Sequence, residues 1–433
     1  MKIVPTMMSD TEYEALTDAV LTPENLFRAA ALNGGNCFLT GAGGTGKSTL
    51  LREFIDECPE TVDVTAPTGV AALNVDGMTI HRFTGMMLGP EPGQPFEEYF
   101  EKLNRDPRSS IQKGFRRVRK CTVLVIDEIS MLPGRQLDFV DFLFRRLRGR
   151  DLPFGGCQVI VTGDFLQLPP VRKSEAEPYD WAFQSRAWKE AGFRTFLLEK
   201  VRRQDEPVFV RALADFRVGR VWGDSARILQ SRVRSNPPSN MPRLFTHNVQ
   251  VDRWNNFQLE ELVGDETVFQ AIESGPELQL EYLKKNLLTP EILRLKVGAL
   301  VMFTVNLNLK DQRDPLFVNG QVGIVESIGR DHVTVWSECH SIFVERFGWR
   351  YDAKDMETAK FSQFPLRLAW AMTIHKAQGI TLESAYLDIR AAREPGQAYV
   401  AVSRVRTLAG LQFKDWFKGV HVSPEAIEFY QNN

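Results

Sequence analysis

The chain has 433 residues, 43% of them hydrophobic and 25% charged, with a formal net charge of −2. That length and mix suit roughly two to four globular domains. The near-neutral balance excludes a globally basic nucleic-acid binder, so any such surface must be local. No apolar run approaches membrane-spanning length. The acidic stretch Asp10 to Glu14 argues against a secretory or organellar leader, so a cytoplasmic protein is expected (nucleoid-associated if bacterial). Cys37, Cys58, Cys121, Cys157 and Cys339 show no metal-type spacing and the six histidines form no ligand cluster, which predicts buried free thiols.

In chain order, residues 12 to 31 carry helical apolar spacing through Tyr13, Leu16, Val20, Leu26 and Phe27, with Thr22 as N-cap and Pro23 in the first turn of a restarted helix. The apolar run Cys37 to Thr40 then leads into Gly41-Ala42-Gly43-Gly44-Thr45-Gly46-Lys47-Ser48 and a helix from Thr49. Strand, glycine-rich turn, Lys-Ser and helix is the context of a phosphate-binding loop. Glycines let backbone N–H groups close on phosphate oxygens, and the helix N-terminus adds partial positive charge. Lys47 suits the β- and γ-phosphates of ATP, and the Ser48 hydroxyl suits Mg²⁺.

A strand from Val62 ends at Pro67 and a helix starts near Thr68, which repeats the alternation of a parallel α/β sheet. Thr79-Ile80-His81 follows. Residues 86 to 110 interrupt the pattern: Gly89 to Pro95 is no regular element, and Phe96, Tyr99, Phe100 and Leu103 have helical spacing. This reads as a small projecting insertion, and residues 89 to 95 read equally as a surface loop.

Val123 to Ile126 is a fully apolar strand that delivers Asp127-Glu128 at its C-terminal end, where parallel sheets bind ligands. There Asp127 suits Mg²⁺, and Glu128 suits the attacking water. The strand Gln158 to Thr162 leads to Gly163-Asp164 and to Gln167, whose amide can sense the γ-phosphate and the water.

A second block starts after Trp188, with strands at Thr195–Leu198 and Leu244–Thr246 and a helix over Val249–Leu259. Short glycine-punctuated β-runs from 296 to 349 suggest an inserted barrel, with Leu366 to Ile374 and Ala385 to Ile389 returning to α/β. Arg203 and Arg404 lie in this block. Spacing alone favours solvated arginines, although an arginine from a facing domain can stabilise γ-phosphoryl charge. The basic runs Arg116 to Lys120 and Arg145 to Arg150 could extend a nucleic-acid track, and the second reads more readily as a solvated helix face.

Together these stretches, with Ala66 to Ala72, Leu152 to Gln158, Val201 to Gln204, Thr373 to Gly379 and Tyr399 to Arg406, resemble the Pif-one (petite integration frequency) family of superfamily 1 DNA helicases, in the 5′→3′ branch with RecD and Dda. The resemblance implies two RecA-like parallel-sheet domains with an inserted wedge and an inserted SH3-like β-barrel. Domain 1A would span 1–190 with its wedge 1B near 86–110. Domain 2A would span 191–295 and 360–433, and 2B would span 296–359. It implies that Lys47, Glu128, Gln167, Arg203 and Arg404 are catalytic. Gly41, Ala42, Gly43, Gly44, Thr45, Gly46, Lys47, Ser48, Thr49 and Gly379 would hold ATP, and Ser48 and Asp127 would hold Mg²⁺. Asn25 stands where the family has an adenine-reading glutamine, and Arg202 stands where an aromatic is usual. Pro67, Thr68, Thr79, His81, Thr246, Asn248, Thr373, His375 and Lys376 would touch single-stranded DNA. The implied activity is a monomeric 5′→3′ helicase acting on forked or 5′-tailed duplex, or quadruplex, DNA. The rivals are a translocase that does not separate strands and a non-motor phosphate-loop enzyme. For the latter, the guanine-reading Asn-Lys-x-Asp is absent.

Overall fold

The computed structural model describes residues 22–432 apart from 107–108, 173, 175, 239–240, 306, 308–315, 318, 338, 352–358 and 417–418. The helical pattern expected through Tyr13, Leu16 and Val20 lies outside the described residues.

Helix α1 (Pro23–Leu32) begins as its residues dictate: Thr22 Oγ1 accepts from the Asn25 backbone N–H at 3.3 Å, and Pro23 occupies the first turn. Strands β1 (Cys37–Gly41), β2 (Val62–Ala66), β3 (Met78–Thr79), β4 (Val123–Ile126), β5 (Gln158–Gly163) and β6 (Arg194–Leu198) form one parallel sheet in the order β3-β2-β4-β5-β1-β6. Period-2 alternation divides their side chains between two cores. Val123, Val125 and Ile160 pack with α1 and α2 (Lys47–Glu57) through Phe27, Leu50, Leu51 and Phe54. Leu124, Ile126, Val159 and Val161 pack on the opposite side with α7 (Gly134–Arg148), which follows α3 (Gly69–Asn74), α4 (Ile80–Thr84), α5 (Phe96–Arg105) and α6 (Ser109–Lys120) along the chain. Burial on both faces is why β4 is apolar throughout.

Phe96–Arg105 is helical, as its apolar spacing predicts, while residues 86 to 95 form turns without regular structure. Tyr99, Phe100 and Leu103 of α5 are buried, and Phe100 stacks on Phe115 of α6 at 5.6 Å. Helix α6 crosses behind α4 at backbone contact, since a Cβ on Gly114 would lie 2.6 Å from Gly85 Cα. In the turn Met86–Gly89, closed by Gly89 N–H donating to Met86 O, Leu88 is 84% exposed. The stretch Leu152 to Gln158 forms a turn in which Phe154 and Gly155 take left-handed angles and the Phe154 N–H donates to Asp141 Oδ1 at 2.6 Å. That stretch braces α7.

The second parallel sheet, β18-β7-β19-β20, comprises β7 (Arg243–Phe245), β18 (Ala371–Thr373), β19 (Ala385–Leu387) and β20 (Leu411–Phe413). Around it lie α9 (Pro207–Arg217), α10 (Gly223–Gln230) and α11 (Asn248–Glu261), whereas α8 (Arg186–Ala191) packs through Ala187 and Trp188 on the first lobe. With β6, the first lobe therefore runs past Trp188, where the sequence pattern starts the second block. The antiparallel strands β8 (Thr267–Gln270), β9 (Ile272–Ser274), β10 (Ile292–Leu295), β11 (Leu300–Phe303), β12 (Val322–Ile328), β13 (His332–Ser337), β14 (His340–Glu345), β15 (Phe347–Tyr351), β16 (Ala359–Gln363) and β17 (Leu366–Leu368), with helix α12 (Glu277–Asn286) among them, extend past both ends of the span 296–359. They form a five-stranded sheet and two smaller ones. Leu366–Leu368, expected with the α/β elements, instead pairs with Leu300–Phe303 inside the antiparallel sheet. Register against that neighbour, which sequence pattern does not encode, decides its sheet.

The chain then crosses back. Helix α14 (Pro424–Asn432) packs on the first lobe, and its Phe429 ring lies 6.0 Å from Phe38, 5.3 Å from Phe165 and 4.6 Å from Phe183. Residues 360 to 433 therefore serve both lobes. Cys37, Cys121 and Cys157 are buried as expected, whereas Cys58 is half-buried at the edge of the core between α1 and α2, and Cys339 is exposed. Among the described residues no helix is long and apolar enough to cross a membrane.

Phe429→Ala is expected to destabilise the first lobe by about 3–5 kcal/mol, the usual loss for a core phenylalanine. Urea unfolding followed by tryptophan fluorescence checks this, and an unchanged midpoint would mean the helix is not anchored there.

Candidate functional site

The glycine-rich loop turns from β1 into α2 with Gly44 at φ +86° and Gly46 at φ +93°, conformations that side chains disfavour. Lys47 Nζ donates to the carbonyls of Gly41 at 2.7 Å and Ala42 at 3.0 Å, which holds the ammonium inside the loop's curve. Burial pulls the Lys47 pKa down, while Asp164, Glu128 and Asp127 oppose the shift. Because β4, β5 and β1 are neighbours, Asp127, Asp164 and the loop all emerge at one sheet edge. Asp127 is buried and accepts a hydrogen bond from the Thr162 hydroxyl; burial raises its pKa. Glu128 sits in the left-handed region at φ +51°, ψ 44°. Burial and then Asp127 push its carboxyl up to about 7, against the pull of Lys47 and Arg404. Both acids line one cleft of about 1090 Å³ with Gly43 to Thr49, Gln167, Arg203, Gly379 and Arg404.

The second lobe closes this cleft. Arg404 follows helix α13 (Gln397–Val402) directly after its C-cap Ser403 and is 2% exposed. Its Nε donates to Val400 O at 2.9 Å and its Nη2 to Ser403 Oγ at 2.9 Å. A Cβ on Gly43 would lie 3.0 Å from Arg404 Nη2, so the loop glycine gives the guanidinium its place. The backbone N–H groups of Arg202 and Arg203 donate to Gly44 O at 2.7 and 3.2 Å, and Gly43 N–H donates to Tyr399 OH at 3.0 Å. Arg203 Nη1 donates to Ser403 O at 3.1 Å, and burial pulls its pKa down to about 9. Arg202 turns outward to Glu24, 3.2 Å away. Among the described residues neither Arg203 nor Arg404 has a carboxylate within ion-pair distance. Two guanidinium groups against a phosphate loop without carboxylate partners form a site for an anion.

Asn25 is exposed on α1, next to the Thr22 cap, and is not among the residues that line the cleft. The other implied residues sit at strand ends of both sheets. Pro67 and Thr68 follow β2, Thr79 ends β3, Thr246 and Asn248 follow β7, and Thr373 ends β18. The hydroxyls of Thr68, Thr79 and Thr373 accept from the N–H groups of Ala71, Arg82 and Lys376 at 3.2, 3.3 and 3.3 Å. The Thr246 hydroxyl lies 2.7 Å from His247 Nδ1. Burial lowers the pKa of His81 and of Lys376. Thr68, His375 and Lys376 also border the nucleotide cleft. The basic runs contribute less than their charge suggested. Arg145 pairs with Asp141, Asp151 and Glu190, Arg148 donates to Gly155 O, and Arg117 donates to Phe83 O.

Sequence reasoning missed a buried network behind the loop. Asp164 is fully buried and accepts from Arg217 Nη2 at 2.7 Å and Nε at 3.1 Å, a bidentate pair joining the two lobes. Arg217 holds the Asp164 carboxyl below its usual range despite burial. Gln167 Nε2 donates to the same carboxylate at 3.2 Å, and Tyr430 OH lies 3.3 Å from it and 2.6 Å from Thr40 Oγ1. Gly163-Asp164 was legible as a strand-end motif, but nothing near Arg217 or Tyr430 in sequence marks them. A second missed contact is Gln378 Nε2 donating to Glu128 Oε2 at 3.1 Å.

Two parallel-sheet lobes sharing one phosphate loop, with arginines reaching it from the second lobe, define a two-lobed phosphate-loop motor ATPase. Residues 22–213 match the family model for PIF1-like helicases. The chain is 37% identical to the ATP-dependent DNA helicase Pif1 of Bdellovibrio bacteriovorus, over 95% of this chain and 92% of that one. It is also 37% identical to the human ATP-dependent DNA helicase PIF1, over 93% of this chain and 62% of the human protein. Its fold is similar to Bacteroides Pif1 in complex with ADP-AlF4 (TM-score 0.81, 30% identity, 95% and 96% of the two chains). It is also similar to Bacteroides Pif1 bound to single-stranded DNA (TM-score 0.66, 30% identity, 95% and 96%). The chain belongs to the PIF1-like helicase family and is an ATP-dependent DNA helicase.

Arg217→Met leaves Asp164 buried without its bidentate partner and is expected to cost about 3–5 kcal/mol. Thermal melts check it, with the double variant Asp164→Asn, Arg217→Met recovering part of the loss.

Proposed function

We propose that this helicase steps 5′→3′ along single-stranded DNA and opens duplexes from a 5′ tail. The carrying observation is the pair Arg203 and Arg404, held against Gly43 and Gly44 without carboxylate partners among the described residues. Lys47 takes the β- and γ-phosphates of ATP on the first lobe. Arg203 and Arg404 meet the charge that spreads over the γ-phosphoryl group on transfer to water. Closing the cleft around ATP therefore moves one lobe relative to the other. Glu128, next to Asp127 and with its carboxyl at the cleft wall, orients and deprotonates the water. Gln167, tied to Asp164, reports on the γ-phosphate. Ser48 and Asp127 offer a hydroxyl and a carboxylate to the same cleft, a hard oxygen donor set that fits Mg²⁺. Mg²⁺, when bound there, neutralises charge on the phosphates.

Pro67, Thr68, Thr79 and His81 of the first lobe and Thr246, Asn248, Thr373, His375 and Lys376 of the second hold the DNA backbone. Capped hydroxyls and helix-start N–H groups suit phosphate and carry no sequence preference. The binding of single-stranded DNA by the Bacteroides relative supports this assignment. The turn that exposes Leu88 serves as the wedge, backed by α5 and α6. One chain supplies both walls of the cleft, so a monomer suffices.

Glu128→Gln should bind ATP yet lose turnover. Arg404→Ala should lower DNA-stimulated kcat by about 10²–10³ with little change in ATP affinity, since such donors act on transition-state charge. Steady-state ATPase and nucleotide titration check both. The reading as a whole is tested by forked-duplex unwinding. A 5′-tailed substrate should open with ATP and Mg²⁺, a 3′-tailed one should not, and rates should fall with salt. Opening of only the 3′-tailed substrate would overturn the polarity. ATP turnover with neither opened would favour a translocase.

A further inference from the structure

We propose that Gln378 is a positioning residue through which the loop bearing the second lobe's DNA-contact residues sets the carboxylate of Glu128. The role presupposes the DNA-stimulated hydrolysis, with Glu128 as base, proposed for this site. Gln378 is 8% exposed and belongs to the second lobe, yet its side-chain amide donates to a first-lobe acid, Glu128 Oε2, at 3.1 Å. Among the described residues no other hydrogen bond holds the Glu128 carboxylate, which can otherwise turn about its last side-chain bond. With Oε2 held, Oε1 keeps its lone pairs for a water, which removes orientational freedom at the reacting oxygen. An amide N–H cannot take up the water's proton, so Gln378 acts by orientation alone.

The same residue is tied rigidly to the DNA candidates. Thr373 Oγ1 accepts from Lys376 N–H at 3.3 Å, Thr373 O accepts from Ala377 N–H at 3.0 Å, and His375 O accepts from Gln378 N–H at 3.3 Å. Thr373, His375, Lys376 and Gln378 therefore share one hydrogen-bonded turn. Beyond it, Gly379 takes φ +81°, and a Cβ there would lie 3.2 Å from Asn74 Nδ2 on α3, the helix that Thr68 caps. The turn thus lies between the base and a first-lobe helix that also carries a DNA candidate. A shift of this turn on gripping DNA moves the Gln378 amide and, through it, the Glu128 carboxylate. DNA occupancy and catalytic geometry are coupled by one side chain.

The test is steady-state ATPase of the full chain with and without oligo-dT, for wild type, Gln378→Met (similar length, no donor) and Gln378→Ala, with melting temperature as a check on folding. DNA-stimulated kcat should fall about 10- to 100-fold in both variants, with the basal rate falling less. KM for ATP and Kd for oligo-dT should stay within about threefold, as expected for a group that acts on turnover through Glu128. In a Glu128→Asp background, whose shorter carboxylate does not reach the amide, Gln378→Met should cost less than about twofold more, the non-additivity of a contacting pair. Full stimulation in Gln378→Met overturns the role. So does an equal loss of basal and stimulated rates, or a loss carried by KM or Kd. A wild-type rate that oligo-dT does not raise overturns the DNA-motor reading itself, and this role with it.

Discussion

The structure depends on a guanidinium placed where, among the described residues, it has no carboxylate partner. Arg404 is buried directly after the C-cap of α13, fixed by Val400 O and Ser403 Oγ and pressed against Gly43. Burial of a cation without a carboxylate partner is costly, and in the proposed reading a polyanionic phosphate chain offsets that cost. The surrounding sequence follows from that. A Cβ at Gly43 would crowd Arg404, and a Cβ at Gly44 would lie 2.6 Å from Arg203 Cβ. The loop glycines thus serve the approach of the second lobe as well as the approach of phosphate.

Bringing the second lobe that close requires something to hold it, and two features do. One is the bidentate Arg217–Asp164 pair, buried between the lobes and shared with Gln167 and Tyr430. The other is α14, which leaves the second lobe's sequence and seats Phe429 among Phe38, Phe165 and Phe183. Asp164 lies directly after β5 and Thr40 sits in β1, so both features end at the edge from which the phosphate loop emerges. A change in the cleft is therefore felt by buried, well-packed groups, which shift between discrete arrangements more readily than they deform.

Much of the site was readable because its chemistry is local. Gly41 to Ser48 is a contiguous loop between a strand and a helix, and Asp127-Glu128 follows an apolar strand directly, so each group's place follows from its own segment. The unread part depends on pairs distant in sequence. Leu366–Leu368 looks like any short strand, and only its register against Leu300–Phe303 assigns it to the antiparallel sheet. Arg145 and Arg148 look like a solvated basic run, and their partners are supplied by the turn after α7 and by α8. Asn25 aligns with an adenine reader, yet α1 leaves it exposed outside the cleft.

The sequence by itself determined the class of chemistry. Backbone freedom at glycine, a lysine at a helix start and an acid pair at a strand end are requirements of binding and splitting a phosphate chain, and they are written in consecutive residues. Tertiary structure decided which groups act together. Gln378 beside Glu128, Arg217 beside Asp164 and Tyr430 beside Thr40 are each brought close only when two lobes and a returning helix have packed. The physical reason is that hydrogen bonds and charge interactions act over a few ångströms of space, whatever the distance along the chain.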